Sequence, residues 1–158
     1  MMMKLSSNVI HALNGRTLVT AESCTGGAIG AALTAVPGSS AVYKGGIISY
    51  TNAVKMNQLG VQKETLDQLG AVSAEVAQQM AKGAKERLFS DIAISVTGLA
   101  GPTGDDFGNH VGTVYIGYAD DQCVLAKKFH FCGDRDAVRQ QAVVAALALV
   151  LERNEIEV

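Results

Sequence analysis

The chain has 158 residues, 48% of them hydrophobic, with 13 lysines and arginines against 15 aspartates and glutamates for a formal net charge of −2. This composition excludes a disordered chain. The absence of a basic stripe argues against a nucleic-acid partner, and no apolar run reaches the ~18 residues of a membrane span. The length fits one domain with a real core. Cys24, Cys123 and Cys132 form no C-x-x-C pair and no secretory leader is legible, so free thiols and a cytoplasmic location are expected.

Residues 5–13 are expected to form the first helix, stopped at Asn14-Gly15. Residues 16–21 read as a short buried strand, 25–35 as a helix of small residues ended before Pro37, and 46–51 as a second strand. Asn52 is the expected N-cap of a helix running to Leu59, with Gly60 as its stop. Residues 63–69 add a short helix before Gly70. Ser73 caps a longer one to about residue 88, whose Val76, Ala77, Met80, Ala84 and Leu88 share one face. Residues 91–97 are apolar almost throughout, the pattern of a central strand covered on both faces. A glycine-rich loop, 98–104, follows it. Residues 111–119 and 123–131 flank Asp120-Asp121-Gln122 as a hairpin, and Lys127 and Lys128 mark its second strand as a guarded edge. Asp134 caps a last helix to about residue 152. The expected class is α/β: a single domain with a mixed, mostly parallel sheet and helices on both faces.

Three segments, 20–27, 49–55 and 97–104, each carry a strand into a polar turn. Ligands gather at such strand ends in α/β sheets, which argues for assembling the three into one site. Ser23 and Cys24 sit at the first turn with Gly26 and Gly27 behind them. Backbone N–H groups at a helix start can hold an anion, and a nucleophile beside them suits acyl or phosphoryl chemistry. Equally, Ser23 or Thr25 can serve only as a helix cap. Cys24 is a second candidate nucleophile, since a helix start lowers a thiol pKa.

Lys55 falls at the third position of the helix capped by Asn52, where the positive end of the helix favours a neutral amine and hence a general base. The other reading of Lys55 is a solvated surface lysine. Tyr50 either packs on the core or offers a hydroxyl to the base or leaving group. The loop 98–104 matches no Walker A pattern and is a weak phosphate signal alone. Arg135 and Arg139, one helical turn apart, form either a phosphate clamp or surface pairs with Asp134 and Asp136. His110, at the loop's end, is the one histidine near these segments. His130 and Cys132 share a strand face, but no further ligand joins them, so no metal site is expected.

Taken together, Ala21-Glu22-Ser23-Cys24-Thr25-Gly26-Gly27, Gly38-Ser39-Ser40, Tyr50-Thr51-Asn52, Lys55, Gly70-Ala71-Val72-Ser73, Gly98-Leu99-Ala100-Gly101-Pro102, Val111-Gly112-Thr113-Val114 and Gly133-Asp134-Arg135-Asp136 resemble the CinA C-terminal domain family. That family includes the nicotinamide-nucleotide amidase of the bacterial pyridine nucleotide cycle. The resemblance implies hydrolysis of nicotinamide mononucleotide to nicotinate mononucleotide and ammonia, with Ser23 as nucleophile, Lys55 as base and Tyr50 as helper. On this reading, backbone groups of Thr25, Gly26 and Gly27 serve the oxyanion, and Thr97, Gly98, Gly101 and Arg135 line the substrate. No cofactor or metal is needed. The expected partner is a small nucleotide, and a homo-oligomer is expected from the apolar surface. The N-terminal domain of longer family members has no counterpart in these residues. One departure stands out: Asn109-His110 where family members often carry Lys-Pro. The competing class is a nucleotide-binding module that keeps the pocket without the chemistry.

Overall fold

The apolar pattern resolves into five strands and six helices in the computed structural model, which describes residues 1–155. In chain order these are α1 (Met2–Ala12), β1 (Leu18–Glu22), α2 (Ala28–Thr34), β2 (Tyr43–Ile48), α3 (Asn52–Leu59), α4 (Lys63–Leu69), α5 (Ala74–Arg87), β3 (Ile92–Gly98), β4 (Thr113–Ala119), β5 (Val124–His130) and α6 (Arg135–Asn154). The sheet runs β2-β1-β3-β4-β5. β1 pairs in parallel with β2 and β3, and β4 is antiparallel to β3 and β5, so only β4 runs against the rest.

Strand alternation divides the core into two layers. Leu18, Ile92, Ile94, Val96, Val114, Ile116 and Tyr118 pack with residues of α1, α2 and α6. Val19, Ala21, Ala93 and Ala119 belong to a second cluster with residues of α3, α4 and α5. The sheet residues of this second layer are small, which lets α5 approach closely. The Ser95 hydroxyl donates to the Ala77 carbonyl of α5 at 2.6 Å. A Cβ on Gly117 would overlap both Ala77 O and Ser95 Oγ, and one on Gly83 would overlap the Leu59 carbonyl at the end of α3.

Several boundaries differ from the sequence expectation: α1 already starts at Met2, β1 starts at Leu18 and β2 ends at Ile48, and three further differences have a local reason. α2 begins at Ala28, because Gly26 and Gly27 take φ of 59° and 101°, outside helical geometry. β2 begins at Tyr43, where its pairing with Leu18 of β1 starts. The cap of α3 is Thr51, whose hydroxyl accepts from the Val54 N–H at 3.4 Å, so Asn52 is the first helical residue. A short 3₁₀ turn at Ser39–Ala41 had no sequence signal. The guarded edge is as expected: β5 is an outer strand, and Lys127 pairs with Glu152 of α6 at 2.9 Å.

The α5–sheet contact predicts that Gly117→Ala destabilises the fold by about 1–3 kcal/mol, the usual range for overpacking a full interior. Urea unfolding checks this, and wild-type stability in that variant would contradict the packing described.

Candidate active site

β1, β2 and β3 end side by side, and their polar termini meet at one cavity of about 320 Å³. Its lining draws Ser23 and Cys24 from the end of β1, Tyr50 and Lys55 from the end of β2 and α3, residues 97–101 from β3 and its loop, and Arg135 from α6. Thus all three strand-end segments converge.

Lys55 is 1% exposed. Its Nζ lies 2.7 Å from the Ser49 carbonyl, 3.1 Å from the Tyr50 carbonyl and 2.9 Å from Ser23 Oγ. Burial, opposed weakly by the nearby Cys24 sulfur, pulls its pKa down to about 8. A neutral amine has two hydrogens and one lone pair. The two backbone carbonyls take the hydrogens, which leaves the lone pair for the Ser23 hydroxyl. Because Thr51 is the cap, Lys55 sits one position deeper in α3 than the sequence suggested, and desolvation is the main cause of its depressed pKa.

Glu22 supplies a feature that sequence reasoning missed. Its carboxylate is 2% exposed and accepts from Thr25 Oγ1 (2.8 Å), Gly27 N (3.2 Å), Ile29 N (2.9 Å), Gly30 N (3.0 Å) and Thr20 Oγ1 (3.1 Å). The start of α2 is therefore plugged by the protein's own carboxylate. The legible signal was an acidic residue just ahead of a helix start. Gly26 N donates to the Ser23 carbonyl, so the N–H groups of both Gly26 and Gly27 have internal partners and the oxyanion role expected of them is corrected. The Thr25 hydroxyl is likewise engaged. Neither Cys24 nor Thr25 gives its backbone N–H to another residue among the described ones.

Tyr50 is also reassigned. It is 61% exposed, and its backbone carbonyl, not its phenol, holds Lys55. The phenol oxygen accepts from Arg135 Nη2 at 3.2 Å, while Arg135 Nη1 donates to the Gly101 carbonyl at 2.7 Å. The two arginines of α6 do not form one clamp. Arg139 turns to the backbone, with Nε donating to Cys24 O at 2.9 Å and Nη2 to Thr25 O at 3.2 Å.

Thr97, Gly98 and Gly101 line the cavity. The Thr97 hydroxyl donates to the Ala71 carbonyl at 2.8 Å, fastening the segment before α5 that supplies Ala71 and Val72 to the wall. Asn109 reinforces this wall from the other side, donating to the Val72 carbonyl at 3.2 Å. Asn109 and His110 do not line the cavity. Cys24 does, but burial pushes its thiol up to about 11, against the positive charges of Arg139, Lys55 and Arg135. A thiol so raised is a poor nucleophile at neutral pH. Among the described residues, no group of three or more His, Cys, Asp and Glu side chains could hold a metal ion, and no helix is long and apolar enough to cross a membrane.

The family model for the CinA C-terminal domain matches residues 2–154. A Pseudomonas putida protein named nicotinamide-nucleotide amidohydrolase PncC is 46% identical over 135 residues, covering 85% of this chain and 84% of that protein. A CinA-like protein of Geobacter metallireducens is 49% identical over 133 residues, 84% of this chain but 32% of its own length. The chain thus spans about a third of the length of several curated relatives it matches. Among solved structures, a CinA superfamily protein from Klebsiella pneumoniae superposes with a TM-score of 0.94 at 37% identity, covering 97% of both chains. One from Escherichia coli gives 0.95 at 36% identity, covering 97% of this chain and 90% of that one.

The burial of Cys24 predicts a selective alkylation pattern. At pH 8, iodoacetamide should modify exposed Cys132 and spare Cys24 in the folded protein. Peptide mass mapping reads this out, and early labelling of Cys24 would return it to contention as nucleophile.

Proposed function

The chain belongs to the CinA C-terminal domain family, and we propose that it is an amidohydrolase converting nicotinamide mononucleotide to nicotinate mononucleotide and ammonia. The observation that carries this reading is the Lys55 amine, buried, bonded to two carbonyls and 2.9 Å from Ser23 Oγ. A serine activated by a neutral lysine is an acyl-transfer pair. The name of the Pseudomonas relative, which matches over most of both lengths, supports the choice of substrate.

In this mechanism Ser23 Oγ attacks the carboxamide carbon as its proton passes to Lys55 Nζ. The C–N bond then breaks, Lys55 returns the proton to nitrogen, and ammonia leaves. Water attacks the resulting ester on Ser23, Lys55 takes its proton, and that proton restores the serine hydroxyl. The backbone N–H of Cys24, directly after the nucleophile and given to no other residue among the described ones, is the nearest candidate for the oxyanion. Ala71, Val72, Leu99 and Ala100 offer an apolar berth for the pyridine ring. Arg135, on the cavity wall beside exposed Tyr50, is the group to meet the phosphate. The cavity falls within the usual ~300–1,000 Å³ of small-ligand sites.

Purified protein should release ammonia from nicotinamide mononucleotide, with or without chelator. Binding without ammonia release would leave a nucleotide-binding module in its place. Ser23→Ala should lower kcat by about 10³-fold or more while the mononucleotide still binds. A base must be neutral, and Lys55 is neutral only above its depressed pKa. kcat/KM should therefore rise with pH through an apparent value near 8 and then level. Lys55→Arg keeps a charge but has no lone pair to accept the proton near neutrality. It should lose about 10²–10⁴-fold in kcat, the usual span for a general base. Near-wild-type turnover in that variant would reject the assignment.

A further inference from the structure

Within the reading just given, Arg139 is left without a role in chemistry or phosphate binding, yet its contacts are with the two residues that follow Ser23. We propose that Arg139 is a positioning residue, holding the Ser23 turn in register with Lys55 by gripping the carbonyls of Cys24 and Thr25. Nε and Nη2 reach them at 2.9 and 3.2 Å. These are charge-assisted bonds from a planar fork, the kind that fixes orientation as well as position.

Peptide planarity carries the effect further. Fixing Cys24 O fixes the plane that also holds Thr25 N–H, which must point away from Arg139. Fixing Thr25 O does the same for Gly26 N–H, which closes back on the Ser23 carbonyl at 3.1 Å. Two consecutive peptide planes after the nucleophile are thereby set from α6. The opposite pole of the turn is held by Glu22, which takes Thr25 Oγ1 and the N–H groups of Gly27, Ile29 and Gly30. Carbonyls are gripped by a cation on one side and N–H groups by an anion on the other.

The turn needs such a splint. Gly26 and Gly27 both have positive φ and little conformational preference of their own. Ser23 meets Lys55 across a sequence gap of 32 residues through one 2.9 Å contact. A displacement of about 1 Å in such a pair costs on the order of 10²-fold in rate. Arg139 acts on kcat through Ser23, whereas Arg135, one turn earlier on the same helix, faces the cavity and should act on KM. The i, i+4 pair thus divides labour between backbone and ligand.

Arg139→Met and Arg139→Lys test this beside Arg135→Met. In ammonia release, Arg139→Met should lower kcat about 10²-fold with KM within about threefold of wild type. Lysine keeps the charge but cannot span two carbonyls, so Arg139→Lys should recover less than about a tenth of the lost turnover. The pH midpoint should stay where Lys55 sets it. Arg135→Met should show the reverse split, a raised KM with kcat largely kept. A second arm does not depend on the substrate. A phosphonofluoridate labels an activated serine by Ser Oγ displacing fluoride at phosphorus, with the proton taken by the base. Its rate at Ser23 should fall in Arg139→Met by a similar factor, at temperatures well below each variant's melting point. Unchanged kcat or labelling, a raised KM alone, or full rescue by lysine would overturn the proposal. If the wild type labels at Ser23 but releases no ammonia, the amidase reading fails while the labelling comparison still decides the role of Arg139.

Discussion

The site depends on one buried amine. Lys55 stays in the interior because Ser49 and Tyr50 each turn a backbone carbonyl toward it. That arrangement is possible only because the chain bends sharply between β2 and α3, with Thr51 as the cap and Ser49 N bonded to the Glu22 carbonyl of the neighbouring strand. Burial of the charged form is unfavourable. Between the depressed pKa near 8 and the ordinary value of 10.5, the unfolded chain binds more protons at this lysine than the folded one. Its contribution to stability therefore rises with pH across that window. The fold tolerates the group at neutral pH because the surrounding layers are well packed. Ser95, Gly117 and Gly83 give α5 a close seat on the sheet and on α3, and the strands that carry Ser23 and Tyr50 are anchored on that seat.

Much of this arrangement was legible in the residues. Strand β3 declared itself by its near-continuous apolar run, and β5 by its lysines. Three strand ends with polar turns pointed to one site because parallel neighbours must deliver their C-terminal ends together. Lys55 was suspicious at a helix start. What could not be read was direction. Sequence spacing put Tyr50 near Lys55, but whether phenol or carbonyl faces the amine depends on backbone geometry at one bend. Arg135 and Arg139 shared a helix face by spacing, yet one turns outward to Tyr50 and Gly101 and the other inward to Cys24 and Thr25. Glu22 was hidden for a related reason. A carboxylate at the end of a buried strand has no periodic signature, and its five hydrogen bonds become visible only when the helix start folds back over it.

The Glu22 plug decides how charge is laid out in the cavity. A glycine-flanked helix start would ordinarily invite a phosphate. Here the N–H groups of Gly27, Ile29 and Gly30 are already neutralised by a carboxylate 2% exposed. A second anion at that point would meet like charge. The remaining cation on the cavity wall besides Lys55 is Arg135, which reaches the exposed Tyr50 phenol. An anionic group on a ligand is therefore drawn to Arg135, which leaves the part of the cavity lined by Ser23 and the apolar Ala71, Val72 and Ala100 for an uncharged reacting group. That polarity suits an amide on a flat ring with its phosphate held away. On the proposed mechanism the lysine would not serve as the anion site itself. A phosphate beside Lys55 would raise its pKa and hold the amine charged, removing the lone pair that the proposed proton transfer from Ser23 requires.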